Sequence, residues 1–121
     1  MQIKDSQLSQ AFINLLLPDE IFDYFKLVKV KTNETSIEIH LDELNHPPQE
    51  YSTEKLESKG FITASIIQDF PIRERAVYLH VRKRRWEVIS SGKIISRDWK
   101  MTSKGTRYTK SFALFLKEVF G

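Results

Sequence analysis

The chain has 121 residues, 40% hydrophobic and 29% charged, with a formal net charge of +3. This suits one domain with a single hydrophobic core and is too apolar for a disordered chain. The absence of cysteine excludes disulfides and thiolate metal sites, and no apolar run approaches the roughly 18–20 residues of a membrane span. The small net charge conceals an asymmetry. Residues 1–60 hold 6 Lys and Arg against 11 Asp and Glu, a balance of −5, whereas residues 61–121 hold 13 against 5, a balance of +8. A single domain over 1–121 with an acidic and a basic half is expected. Basic surfaces of this kind attract nucleic acid or anionic membrane. No secretory pattern opens the chain, so a cytoplasmic protein is expected.

In chain order, Leu8, Phe12, Leu15 and Leu16 recur at helical spacing over 5–17. Pro18-Asp19-Glu20 suits a first helical turn, since proline needs no donor there and acids suit the positive end of the helix dipole. Ile21, Phe22 and Phe25 give a second, short apolar face. Val28–Lys31 alternates, and Ile37, Ile39 and Leu41 alternate with Glu38 and His40. With Thr32–Thr35 as the turn, this predicts a hairpin. Residues 42–60 read as a long irregular connection with a helical turn near Thr53–Glu57.

Phe61–Phe70 resembles a strand, and Arg73-Glu74-Arg75 a turn. Ala76–Trp86 is predicted as one strand. Val77, Leu79 and Val81 line one face, which Lys83 and Arg85 continue; Tyr78, His80, Arg82, Arg84 and Trp86 line the other. Ser90–Lys93 turns the chain into Ile94–Trp99, a second hairpin. Thr109 is a plausible N-cap for a terminal helix whose apolar face is Phe112, Phe115, Leu116 and Val119. The predicted class is α+β: N-terminal helices, two β-hairpins forming a small antiparallel sheet, and a C-terminal helix.

The chemistry centres on residues 81–86, VRKRRW. Arg82, Lys83, Arg84 and Arg85 on one strand repel one another unless a partner answers them. Arginine bonds phosphate through a planar fork, and rings stack on bases or on the guanidinium. Tyr78, Trp86 and Trp99 are the rings available for such support, although tryptophans at these positions also read as core anchors of the hairpin. Lys93, Arg97, Lys100, Lys104, Arg107 and Lys110 extend the basic set. A solvated strand face with snorkelling arginines is the alternative. His40, His46 and His80 are scattered, which argues against a metal site. No acid forms a motif that assigns catalysis, and four glycines build no phosphate loop.

Phe70–Gly92, FPIRERAVYLHVRKRRWEVISSG, resembles the front module of bacterial insertion-sequence transposases. That module is a zinc ribbon with an Asp-Leu-Pro turn, a strand ending in arginines and an aromatic, then Cys-x-x-Cys-Gly. Asp69-Phe70-Pro71 resembles the turn, and Val88, Ser91 and Gly92 stand where Cys, Cys and Gly would be. His46-Pro47-Pro48-Gln49 resembles a remnant of the earlier cysteine pair. LLPDEIFDYF, LESKGF, RDWK and KGTRYT are similar to a cysteine-free branch of these N-terminal regions.

The resemblance implies recognition of transposon-end DNA. Zinc cannot be held here in that family's way, so Trp86, Val88, Ile94 and Trp99 are expected to hold the hairpin by packing. The family's catalytic carboxylates lie in a later RNase H-like domain, for which this chain is too short. The expectation is a non-catalytic, cofactor-free module that binds double-stranded DNA beside a catalytic transposase domain or chain, with self-association compatible. The competing expectation is a protein-interaction module in which the acidic and basic halves pair head to tail.

Overall fold

The computed structural model describes residues 21–97 together with Ala11, Leu15, Leu16, Leu17, Lys110, Ser111 and Leu114. Among these residues there is one short helix with both ends described, α1 (Ile21–Tyr24), and seven strands. The strands are β1 (Phe25–Thr32), β2 (Ser36–Glu43), β3 (Leu56–Phe61), β4 (Ser65–Ile72), β5 (Arg75–Arg82), β6 (Arg84–Val88) and β7 (Lys93–Ser96). They form a four-stranded sheet in the order β1-β2-β5-β4 and a three-stranded sheet in the order β3-β6-β7. All pairings are antiparallel except β2 with β5, which run parallel.

The first hairpin forms where alternation places it. Asn33 closes its turn, its side-chain Oδ1 accepting the backbone N–H groups of Thr35 and Ser36, both at 2.8 Å. This is the local bonding that favours Asn in turns. One face of the larger sheet carries Ile39, Leu41, Ile67, Val77, Leu79 and Val81, buried with Leu17, Ile21 and Phe25. The face chosen for Val77, Leu79 and Val81 by alternation is thus the core face. The smaller sheet has its own core of Trp86, Val88 and Ile95, against which Tyr51 and Leu56 pack.

The α+β expectation is overturned by this β-rich architecture. Two sheets stand where one small antiparallel sheet was expected, and a parallel pair joins two hairpins. Residues 42–60 are not one irregular connection: β2 runs to Glu43, a single 3-10 turn spans Gln49–Tyr51, and Leu56 opens a strand. LESKGF hides as a strand because much of it is exposed at a sheet edge, so it lacks the alternation of a half-buried strand. Phe61–Phe70 is not one strand either, since the chain leaves the smaller sheet at Phe61 and enters the larger at Ser65. Of the terminal helices, Ala11, Leu15, Leu16, Lys110, Ser111 and Leu114 are helical. Leu17 bends the chain and is buried, and the remaining residues of both predictions, with Pro18-Asp19-Glu20, lie outside the described residues.

Candidate nucleic-acid interface

VRKRRW does not lie on one strand. Val81 and Arg82 end β5, Lys83 passes between the sheets, and Arg84 opens β6. The backbone break goes unseen in the sequence because the basic run 82–85 hides the shift of the buried positions from Val77, Leu79 and Val81 to Trp86 and Val88. The consequence is that Arg82 and Arg84 meet acids forty residues away. Parallel pairing sets Arg82 opposite Asp42. Arg82 donates Nε–H and Nη2–H to the two Asp42 oxygens, each at 2.6 Å, a bidentate charge-assisted pair. Those hydrogen bonds hold the Asp42 carboxyl below its ordinary value of 3.8 despite the opposing effect of burial, and the charges of Arg82, Lys26 and Arg84 act with them.

Arg84 donates its backbone N–H to Glu43 Oε1 at 2.9 Å and Nη1–H to Ser58 Oγ at 2.7 Å. Both guanidinium carbons lie over the Phe61 ring, 4.2 Å from its centroid for Arg82 and 4.6 Å for Arg84, within cation–π range. Arg97 Nε lies 3.5 Å from Glu43 Oε2, and Arg97 also donates to the His46 carbonyl. Arg82, Arg84 and Arg97 thus gather around Asp42 and Glu43 at the junction of the sheets. They do not form a free cationic strip.

The other predicted residues scatter. Lys83 is half-buried, and its carbonyl accepts the Ile62 N–H. Arg85 is exposed and donates to the Lys59 carbonyl at 3.1 Å. Lys93 is exposed at the start of β7, and Lys110 is exposed and helical. Trp99, Lys100, Lys104 and Arg107 lie outside the described residues. Tyr78 is half-buried on the polar face of the larger sheet. Trp86 is 1% exposed and donates Nε1–H to Asn45 Oδ1 at 2.8 Å, so its ring is a core anchor and cannot stack on a base. Val88 is buried in the same core, but Ile94 is half-exposed and Ile95 takes the inward position expected of it. Ser91 and Gly92 turn the chain with both N–H groups on the Val88 carbonyl.

A second basic group lies in the half that composition marks as acidic. The β1–β2 register shifts between Leu27 and Lys29. A bulge there resets the alternation, so Lys26, Lys29 and Lys31 pair with Asp42, His40 and Glu38 and share their face. The same face receives Tyr78, His80 and Arg82 from β5. Four cationic side chains against two anionic ones leave it a net +2 with both imidazoles neutral. Lys26, Lys29 and Lys31 are exposed and make no hydrogen bond or ion pair among the described residues. The sequence signal was KLVKVK, whose three lysines fall out of step without the bulge.

His40 and His80 lie at the centre of this face. Burial pushes up the Glu38 carboxyl, but the hydrogen bonds of His80 and Ser36 and the charges of both histidines outweigh it and hold Glu38 below 4.5. Among the described residues no three His, Asp or Glu gather as a metal site requires, and no helix is long and apolar enough to cross a membrane. Comparison of the chain with protein-family models, curated proteins and solved structures finds no match.

Proposed function

We propose that the chain is a non-catalytic DNA-binding module that meets the phosphate backbone with the lysine face of its larger sheet. The observation that carries this is the bulge at Val28, which turns Lys26, Lys29 and Lys31 onto one face beside Arg82. Same-face neighbours on a strand stand about 6.8 Å apart, and lysines that neutralise phosphates release the cations condensed on the DNA. Arg85 and Lys93, exposed on the smaller sheet, extend the contact. The resemblance of Phe70–Gly92 to transposase front modules supports a transposon end as the DNA, a catalytic transposase as the partner and the cytoplasm as the place. The competing protein-interaction reading loses its basis in part, because the acidic and basic halves already pair within the chain at Asp42–Arg82 and Glu43–Arg97.

A salt titration of binding to duplex DNA tests the proposal. Each lost phosphate contact lowers the slope of log affinity against log salt by about 0.9. The triple variant Lys26→Ala, Lys29→Ala, Lys31→Ala is expected to lower it by about 2–3, and Arg85→Ala by about 1, alike for all sequences. An unchanged slope in the triple variant would reject the lysine face.

A further inference from the structure

The polar face of the larger sheet holds two imidazoles ring against ring. His40 and His80 pair across the parallel strands, and their rings stack with centroids 4.3 Å apart and planes 16° from parallel. His80 Nε2 lies 2.8 Å from Glu38 Oε1. An ionised carboxylate only accepts, so Nε2 carries the proton. The groups that share the face with His40 are Lys26, Lys29 and Lys31 from β1, Glu38 and Asp42 from its own strand, and Tyr78, His80 and Arg82 from β5. From β4 come only the uncharged Ile66 and Gln68.

Resting on the DNA-binding reading above, we propose that phosphate-backbone binding to this face is proton-linked through His40, so that the module holds polyanions more tightly as the pH falls. In the free protein, burial depresses His40 below its ordinary value of 6.5; the charges of His80, Lys29 and Lys31 act in the same direction, and Glu38 opposes them. A phosphate laid against Lys29 and Lys31 cancels their repulsion of the imidazolium and adds an attraction of its own. His40 is then more basic in the complex than in the free chain. Binding therefore takes up a proton, and affinity rises as pH falls between the two values, by at most about tenfold per pH unit for one proton.

The test is fluorescence anisotropy with a labelled DNA duplex at constant ionic strength, at about pH 8, 6.5 and 5.5. The intact chain and a control, His46→Gln at an exposed histidine of the connection after β2, are expected to bind about 3–10-fold more tightly at the lowest pH than at the highest. His40→Gln is expected to bind with almost no gradient. Proton NMR of the intact chain gives a second measurement that does not rely on a variant's folding: the His40 ring titration should move to higher pH when the duplex is saturating. A gradient that persists in His40→Gln, or a His40 titration that does not move, overturns the proposal. Binding that is tight and independent of pH overturns it while leaving the DNA-binding reading standing; absence of binding at every pH removes both.

Discussion

Glu43 is 1% exposed, yet its carboxylate receives the Arg84 backbone N–H at 2.9 Å and faces Arg97 at 3.5 Å. A buried acid held this way is costly to disturb from one side, because truncation leaves the partners without their acceptor. Glu43→Ala is expected to lower stability by about 3–5 kcal/mol, the range for breaking a buried pair, read from urea unfolding. A loss under about 1 kcal/mol would mean that water replaces the carboxylate at little cost. Asp42 differs because its arginine is half-exposed, at 47% of the side chain, where solvent screens the pair.

The pH dependence separates these groups. Asp42 and Glu38 are held below 3.8 and 4.5, so the stability they contribute is complete above those values and disappears as pH falls through the lower folded ones. His40, depressed below 6.5, begins to cost stability earlier, as pH drops through 6.5 and the unfolded chain binds the proton first. Unfolding midpoints measured across this range should therefore fall in two stages, and His40→Gln should remove the first. A single acid transition confined below 4.5, the ordinary value of Glu38, would contradict the assignment.

At the scale of elements, the β4–β5 hairpin turns on Arg73 and Glu74, both with positive φ, at 51° and 68°. Ile72 pairs with Arg75 across them, so the loop has two residues and needs left-handed backbone at each. Asn-Gly satisfies that geometry, glycine because it has no β-carbon and asparagine because its short side chain bonds the local backbone, whereas other residues cost roughly 1–2 kcal/mol in it. Arg73→Asn with Glu74→Gly is expected to stabilise the chain by about 1–2 kcal/mol and to raise its melting temperature. A fall would show that side-chain contacts of Arg73 or Glu74 outweigh the backbone strain.

The same hairpin shows what the sequence makes legible. Alternation identifies β2 and β5 with their core faces, because each is half-buried and its period is local, and it finds 28–31 of the mostly exposed β1; turn residues mark 32–35, 73–75 and 90–93. Three features are not local. The bulge at Val28 adds one residue to the alternation, and only the partner strand reveals it. The break at Lys83 shifts the buried positions from Val77, Leu79 and Val81 to Trp86 and Val88, but the basic run between them hides the shift, so two strands read as one. The parallel pairing of β2 with β5 links residues forty apart, and without it Arg82 and Arg84 look like unanswered charge. Alternation thus finds the arginines by type but not the acids that Arg82, Arg84 and Arg97 meet, and Lys26, Lys29 and Lys31 fall in the half whose composition is acidic.

At the scale of the whole molecule, the two sheets have very unequal cores. Among the described residues, nine buried apolar side chains serve the larger sheet and three, Trp86, Val88 and Ile95, the smaller. Each buried side chain of this kind stabilises by about 1.5–3 kcal/mol, and so small a core does not fold by itself. The smaller sheet therefore depends on its junction with the larger one: the Lys83 crossing, the Ile62 N–H on the Lys83 carbonyl, Phe61 against Arg82 and Arg84, and Arg84 and Arg97 on Glu43. In the intact chain, both sheets should open together. Backbone hydrogen exchange in β6 should be as slow as in β2 and β5, at the level of global unfolding. Loosening the junction by Phe61→Ala removes the ring beneath both guanidinium groups but leaves both cores in place. Exchange in β3, β6 and β7 is then expected to speed up well beyond that in β2 and β5, as the smaller sheet opens alone. If all strands speed up together, the junction is only one part of a single cooperative core. If β6 already exchanges faster than β5 in the intact chain, the smaller sheet is a separate unit and the arginines of VRKRRW do not couple it.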